Sequence, residues 1–105
     1  MGNAAHVAII GHWKKSDMLL LNQNIFVQGR KRAKVSHKFH YTQKSDPKVI
    51  SAVVLTNYDK STFGAEGSLL EGGPNNIYCS IRLSARNNHD INFNLKIYSN
   101  NNVLQ

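Results

Sequence analysis

Two stretches of alternating residues decide the fold of this chain: IYCSIRLS at residues 77–84 and INFNLKIY at residues 91–98. In both, every second residue is apolar, beginning with Ile77 in the first stretch and with Ile91 in the second. Side chains two residues apart in an extended strand lie on the same face, so each stretch predicts a strand with one buried face. The short polar connection between them predicts a β-hairpin. Its apolar face needs a second layer of structure to cover it, which predicts an all-β protein.

Five further extended segments precede this pair, at the spacing typical of sandwiches and barrels. They are residues 6–10, 18–27, 35–41, 49–58 and 63–71. Segment 18–27 places Leu19, Leu21 and Ile25 on the inward face. Segment 49–58 is rich in β-branched residues and predicts a central strand, whereas the glycines of 63–71 predict an edge or bulged strand. We therefore predict a single-domain antiparallel β-sandwich or partly closed barrel of about seven strands.

The length of the chain fits one domain. We predict that residues 6–98 form the β-sandwich domain of this 105-residue chain, with 1–5 a disordered N-terminus and 99–105 a frayed C-terminal tail. No apolar run approaches the roughly 20 residues that span a bilayer, so no membrane insertion is expected. The single cysteine, Cys79, excludes a disulfide within the chain and lies on the apolar face of its strand, which predicts a buried structural thiol.

Positive charge is concentrated in the first half of the chain. Residues 1–48 hold nine Lys and Arg against two acids and residues 49–105 hold four of each, so the first half carries the whole net charge of +7. We predict a basic patch on the loop before segment 35–41 and on the outward face of that strand. It consists of Arg30, Lys31, Arg32, Lys34, Lys38 and His40. Such a patch attracts polyanions such as sulfated glycosaminoglycan, nucleic acid or anionic membrane. The alternative is that these residues are solvated and keep a sheet edge soluble.

We expect the four loop residues of this patch to contribute more to polyanion binding than three basic residues outside it. The four are Arg30, Lys31, Arg32 and Lys34, and the three are Arg82, Arg86 and Lys96. Nucleic acid is the less favoured polyanion, because reading a base sequence requires a helix or ribbon in a groove, or aromatic side chains beside the basic ones. Contact with phosphates alone would give non-specific, salt-sensitive binding.

A second candidate contact is Trp13 with its neighbours Lys14 and Lys15. An exposed indole offers a large contact area at low entropic cost and can anchor a partner. The alternative is a rim residue that caps the sandwich.

Catalytic and metal-binding patterns do not occur in the sequence. His37 and His40 are three residues apart, which on a strand places them on opposite faces, so they cannot share a metal ion. No Gly-x-Ser-x-Gly elbow occurs, and the six acids are scattered along the chain. We therefore predict a non-enzymatic protein without cofactor or metal.

Three groups of residues carry a resemblance to a known family. They are Gly11 with 17–20 and 24–25; Ile50, Asp59, 64–65 and 72–73; and 81–86 with 91–93 and 97–98. In this order and spacing they resemble, over residues 6–98, the insect family named after the transcription activator multiprotein bridging factor two. The resemblance implies small proteins with secretory leaders, among them salivary secreted peptides and pathogen-response proteins. The founding member is described as a coactivator for a nuclear receptor. The chain departs from the family pattern at Pro74 and in the longer polar turn at 87–90.

Two functional hypotheses follow. The first is a secreted insect binding protein of the salivary or pathogen-response type, whose partner is a host or microbial protein or a glycosaminoglycan. No leader pattern precedes His6, so we expect Met1 to be either a natural start or an initiator placed before a mature chain whose leader was removed. The second is a coactivator in the nucleus or cytoplasm that bridges a nuclear receptor and general transcription factors. A third idea is a lipid-like ligand in an apolar cavity between the sheets. The chain is expected to be a monomer or a homodimer through an edge strand.

Overall fold

The computed structural model of this chain describes residues 6–59 and 64–100, and these form an antiparallel β-sandwich. Its seven strands are β1 (His6–Gly11), β2 (Met18–Val27), β3 (Val35–Tyr41), β4 (Ile50–Asn57), β5 (Ala65–Gly72), β6 (Cys79–Ala85) and β7 (Ile91–Ser99). A four-stranded sheet has the order β1-β4-β7-β2, and a three-stranded sheet has the order β3-β6-β5. The two sheets do not close into a barrel, so the sandwich is the correct one of the two predicted architectures. Within the described ranges no helix is long and apolar enough to cross a membrane.

The core is formed by the alternating residues of the central strands. Ile81 and Leu83 of β6 face Leu95 and Ile97 of β7 across the sandwich, and all four are fully buried. The inward residues of β4 and β3 add to this core from the two sheets. The predicted central strand at 49–58 and the predicted alternating strand at 35–41 are therefore confirmed. Burial of one face of each sheet supplies the main hydrophobic stabilisation of the domain.

The predicted hairpin between the two alternating stretches is wrong. β6 pairs with β3 and β5, whereas β7 pairs with β2 and β4. The connection at 86–90 therefore crosses from one sheet to the other. The alternating pattern shows which face of a strand is buried. It does not show which strand is the hydrogen-bonded neighbour, so two successive alternating strands can lie in opposite sheets and cover each other.

Two smaller differences concern the register and end of strands. Leu19 lies on the outer face and is exposed, because a β-bulge between Leu19 and Leu21 shifts the register of β2 against β7. Leu21 and Ile25 face the core as predicted. β7 continues through Ser99, beyond the predicted end of the domain, since Ser99 pairs with strands on both sides.

The predicted edge strand is confirmed for β5, which is the last strand of its sheet and has a bulge between Leu69 and Glu71. The start predicted for it at Phe63 lies outside the described residues, as do 1–5 and the part 101–105 of the predicted tail.

The two outer faces of the sandwich differ in polarity. On the three-stranded sheet the outward positions of β3 and β6 are polar, with Lys38 directly opposite Arg82. On the four-stranded sheet the outward side chains of Val7, Ile9 and Phe26 are all more than half exposed, at 59%, 54% and 62%. An exposed apolar side chain on an outer face is common when it stands alone, but Val7 and Ile9 lie side by side on one strand.

Replacement of Leu83 by alanine tests the position of the core. Leu83 is fully buried at the centre of β6, so Leu83→Ala should lower the free energy of unfolding by about 2–5 kcal/mol through lost burial and the cavity left behind. Leu70→Ala is the matched control, because Leu70 is 39% exposed, and it should cost less than about 1 kcal/mol. Urea unfolding followed by circular dichroism measures both. Equal losses in the two variants would contradict the placement of the core.

Candidate anion-binding site

Three connections meet at one end of the sandwich, which we call the loop end. It consists of the β2–β3 loop (28–34), the β6–β7 connection (86–90) and the residues flanking the β4–β5 connection, Tyr58, Asp59 and Gly64. The amide of Asn88 donates to the carbonyl of Arg30 over 2.9 Å, and the amide of Arg86 donates to the carbonyl of Gly64 over 2.8 Å. Residues far apart in the sequence are therefore held together by main-chain hydrogen bonds, which fix the shape of this end.

A side-chain hydrogen bond completes the link between two of these connections. The amide of Gly29 donates to Oδ1 of Asp90 over 2.7 Å. A Cβ atom at Gly29 would overlap the main chain of His89, so only glycine permits this close approach. The β2–β3 loop and the β6–β7 connection are thus packed main chain against main chain.

Basic side chains surround the clefts at the loop end. Lys34 lines a cleft of about 670 Å³ together with Arg30, and a second of about 290 Å³ together with Arg86. A third, of about 460 Å³, is lined by Lys34, Arg86 and His89. In the described part of the chain no carboxylate lies within ion-pair distance of Arg30, Lys34 or Arg86. Glu66 also lines the second of these clefts, so the loop end holds an exposed carboxylate beside the three exposed cations.

Behind these cations lies an acid–imidazole pair. Oδ2 of Asp59 is buried and lies 3.3 Å from Nδ1 of His89. Gly64 packs directly against both side chains, where a Cβ atom would overlap them. The pair is a short ion pair when His89 is protonated, and it holds the imidazole at the wall of the cleft that Lys34 and Arg86 share.

The predicted basic patch is divided by the structure. Arg30, Lys31, Arg32 and Lys34 lie in the β2–β3 loop, where Arg30 and Ala33 form an isolated bridge around a tight turn and Arg32 has a φ of 60°. All four are exposed. This left-handed backbone region is favoured by glycine, asparagine and aspartate. A β-branched residue at position 32 would be more strained there than arginine is.

The other two predicted residues of the patch, Lys38 and His40, lie on the outer face of the three-stranded sheet. Lys38 is four residues beyond Lys34, roughly 13 Å along the strand. There it stands opposite Arg82, and His40 contacts the hydroxyl of Ser80 and lies beside the ring of Tyr78, with ring centroids 6.4 Å apart. Lys38 and Arg82 form a second basic site on the same side of the molecule as Lys34.

The second predicted contact, Trp13 with Lys14 and Lys15, lies at the opposite end of the sandwich. Trp13 lies two residues beyond Gly11, the last residue of β1, and its ring packs edge-on against Tyr98 with centroids 5.8 Å apart. The side chain is still 45% exposed. The turn after it is held by Asp17, whose carboxylate accepts from the amide of Lys14 and from the hydroxyl of Ser51. Trp13 and the basic loop therefore belong to different surfaces.

Arg86, His89 and Asp59 lie at the loop end although the sequence predicts none of them to be part of the basic patch. Arg86 and His89 reach the loop end because β3 and β6 are antiparallel, so that the start of β3 and the end of β6 lie together. Asp59 reaches it because the end of β4 pairs with the start of β7. The signal that finds them is strand pairing, which no local pattern contains. Within residues 6–59 and 64–100 no group of three or more metal-ligating side chains is found.

The single cysteine is a core residue, as predicted. Cys79 is fully buried, and burial raises the pKa of its thiol to about 11. Burial also raises the pKa of Tyr41, which pairs with Cys79 across the sheet, and the neighbouring thiol adds to that rise. The thiol is therefore protonated at neutral pH and does not act as a nucleophile.

Comparison with known proteins identifies the family. The family described as Transcription activator MBF2 matches residues 10–99. This chain belongs to that family. It is also 27% identical over 97 residues to a protein of Bombus ignitus named "Probable salivary secreted peptide", a match that covers 92% of this chain and 72% of that protein. No solved structure is significantly similar. The resemblance found in the sequence is therefore confirmed.

The protection of Cys79 predicts its reactivity. At pH 8 the native thiol should react with an aromatic disulfide reagent at least about a hundredfold more slowly than the unfolded chain, because little thiolate is present and the sulfur is buried. The rate should rise as the pH approaches 11. Stability should fall over the same interval, since the unfolded thiol ionises at a lower pH than the folded one. Equal rates with and without denaturant at pH 8 would contradict this account.

The contact at Gly29 predicts a second effect. Gly29→Ala would push the β6–β7 connection away from the β2–β3 loop and should lower the free energy of unfolding by about 1–3 kcal/mol, as overpacking does. Gln28→Ala is the control, because Gln28 is the exposed neighbour in the same loop. Urea unfolding of the two variants provides the measurement, and an unchanged midpoint for Gly29→Ala would refute the close approach.

Proposed function

We propose that this chain is a secreted, non-enzymatic binding protein that engages a sulfated polysaccharide of the glycosaminoglycan class through its loop end. The observation that carries the proposal is the convergence of Arg30, Lys34 and Arg86 on neighbouring clefts. None of these three cations lies within ion-pair distance of a carboxylate of the described residues, although Glu66 lines one of the clefts. Sulfate groups are acceptors for both guanidinium and ammonium donors, which makes such clefts suitable sites for them.

The arrangement of cations favours a linear polymer over a single small anion. From the loop end, the strand β3 leads to Lys38 and Arg82 on the adjacent sheet face, roughly 13 Å from Lys34. A chain with regularly spaced negative groups can contact both sites at once, whereas a single anion reaches only one. Between the two sites lies the exposed Ser36, whose hydroxyl group is an additional donor, next to the buried Ser84 and the exposed Glu66 that pairs with it.

Support for secretion comes from the relative in Bombus ignitus, whose name describes a salivary secreted peptide. A protein delivered outside the cell encounters sulfated polysaccharides on cell surfaces. The proposal that this chain acts there and carries no catalytic activity rests on that relative and on the absence of a catalytic pattern in the sequence.

Chromatography on heparin tests the binding site. The double variant Lys34→Ala/Arg86→Ala should elute at a clearly lower salt concentration than the unchanged protein. If these cations release counterions as phosphate-binding cations do, the slope of log K against log salt should fall by about two. The control is Lys44→Ala/Lys96→Ala, which removes the same charge from exposed or half-buried positions away from the loop end.

The control should retain most of the binding, since a site depends on where its cations lie and not only on net charge. Equal elution of the two double variants would show that only the total charge matters, and the proposed site would be abandoned. Circular dichroism of both variants excludes unfolding as the cause of a difference.

A second candidate is favoured by the family description, Transcription activator MBF2. In that case the chain would act inside the cell as a coactivator that bridges a nuclear receptor and general transcription factors. Expression of the complete precursor in insect cells separates the two candidates. Recovery in the medium supports the secreted binding protein, whereas accumulation in the nucleus supports the coactivator.

A further inference from the structure

The edge strand β1 differs from the other three edges of the sandwich. Each sheet has two edge strands, β1 and β2 in one and β3 and β5 in the other. An edge presents main-chain donors and acceptors to any other strand, and proteins usually protect it with charges, bulges or prolines. β1 has the sequence HVAIIG, with no Lys, Arg, Asp, Glu or proline, and pairs with β4 without a break in register.

The other edges each carry such a protection. β3 presents Lys38, so a second β3 beside it would place like charges together. β5 contains Glu66 and Glu71 and has a bulge before Glu71. β2 has a bulge after Leu19, and its regular part holds Asn22 and Asn24, which are poor strand formers. The side-chain amide of Asn94 donates hydrogen bonds to the side-chain oxygens of both.

The register of β1 shows which of its main-chain groups point outward. The amide of His12 donates to the carbonyl of Ser51 just beyond the pair Gly11–Ala52. In an antiparallel ladder bonded and non-bonded pairs alternate, so Ala8 and Ile10 bond to β4 and the main-chain groups of Val7 and Ile9 point away from it. At the Gly11 end of the strand the backbone leaves the extended region, with a φ of 93° at Gly11, and Pro74 lies against that residue. The exposed part of the edge is therefore centred on Ala8.

We propose that this chain forms a symmetric homodimer by antiparallel pairing of β1 with β1 of a second copy, centred on Ala8. Val7 of one copy then lies beside Ile9 of the other, and the two four-stranded sheets join into one sheet of eight strands. The side chains of Val7 and Ile9, which are 59% and 54% exposed, lie beside Thr56 and Val54 of β4 on the outer face of the sheet. Two copies of net charge +7 can approach here because the contact contains no lysine or arginine.

The size of this contact sets the expected strength of the dimer. A pair of six-residue strands buries less than the roughly 1,200 Å² of a standard interface, so dissociation should occur at micromolar concentrations. The inference is independent of polyanion binding, because it depends only on β1.

Sedimentation equilibrium of the full chain, without polyanion, tests the dimer. The unchanged protein should show a monomer–dimer equilibrium across the micromolar range. Ile9→Lys should raise the dissociation constant at least about tenfold, since it places two ammonium groups close together in the contact. Ile9→Pro should do the same, because it removes an outward amide and leaves the hydrogen bonds to β4 intact. The matched control Phe26→Lys makes the same change on the opposite edge strand and should dimerise normally.

A cysteine variant tests the register of the pair. Ala8 lies at the centre of the proposed contact, so Ala8→Cys should form an interchain disulfide under mild oxidation. Ser68→Cys, exposed on the edge strand β5, should form far less of it, and the buried Cys79 of both variants should stay reduced. A monomer at all concentrations, growth beyond the dimer, or loss of the dimer in Phe26→Lys but not in Ile9→Lys would overturn the proposal.

Discussion

The contact between the buried faces of β6 and β7 is the constraint on which the rest of the structure depends. Each strand is flanked on both sides in its own sheet, and each presents a fully buried row of residues to the other. Because side chains in a strand alternate, fixing this contact also fixes which residues of β6 and β7 face solvent. Arg82 and Lys96 are outward for that reason alone. The outer strands then add to two sheets whose inner faces are already determined.

The loop end is a consequence of the same arrangement. When β6 crosses to β7 through residues 86–90, the connection must pass over one open end of the core. The β2–β3 loop crosses between the sheets at the same end, and the two connections meet at Gly29 and His89. A short connection between two sheets has main-chain donors and acceptors that belong to no strand and need hydrogen-bond partners. Here the main-chain groups of the neighbouring connections bond to one another. The cations of both connections are thereby brought to common clefts without any contact between the cations themselves.

This dependence on topology separates what the sequence predicts from what it does not. The seven strands, their buried faces and the edge position of β5 follow from local patterns, as does the burial of Cys79 between Ile77 and Ile81. The partner of each strand does not, which is why the alternating pair was wrongly predicted to be a hairpin. Leu19 was misplaced because a one-residue bulge reverses the alternation. Arg86 was placed outside the basic patch, since its neighbour Lys34 is 52 residues away in the sequence and the two meet only through the pairing of β3 with β6.

The two proposals are related by geometry although neither requires the other. Residue His6 of β1 pairs near the loop end, and Gly11 pairs near the opposite end. An antiparallel β1–β1 contact therefore turns the two loop ends in opposite directions. A short polyanion could occupy only one of them, whereas a long polymer, or two polymers on a surface, could occupy both. Binding to a polymer-coated surface would then exceed binding to one short chain through effective concentration and without any new contact. A weak dimer is sufficient for this, because local accumulation on the polymer would itself raise the dimer fraction.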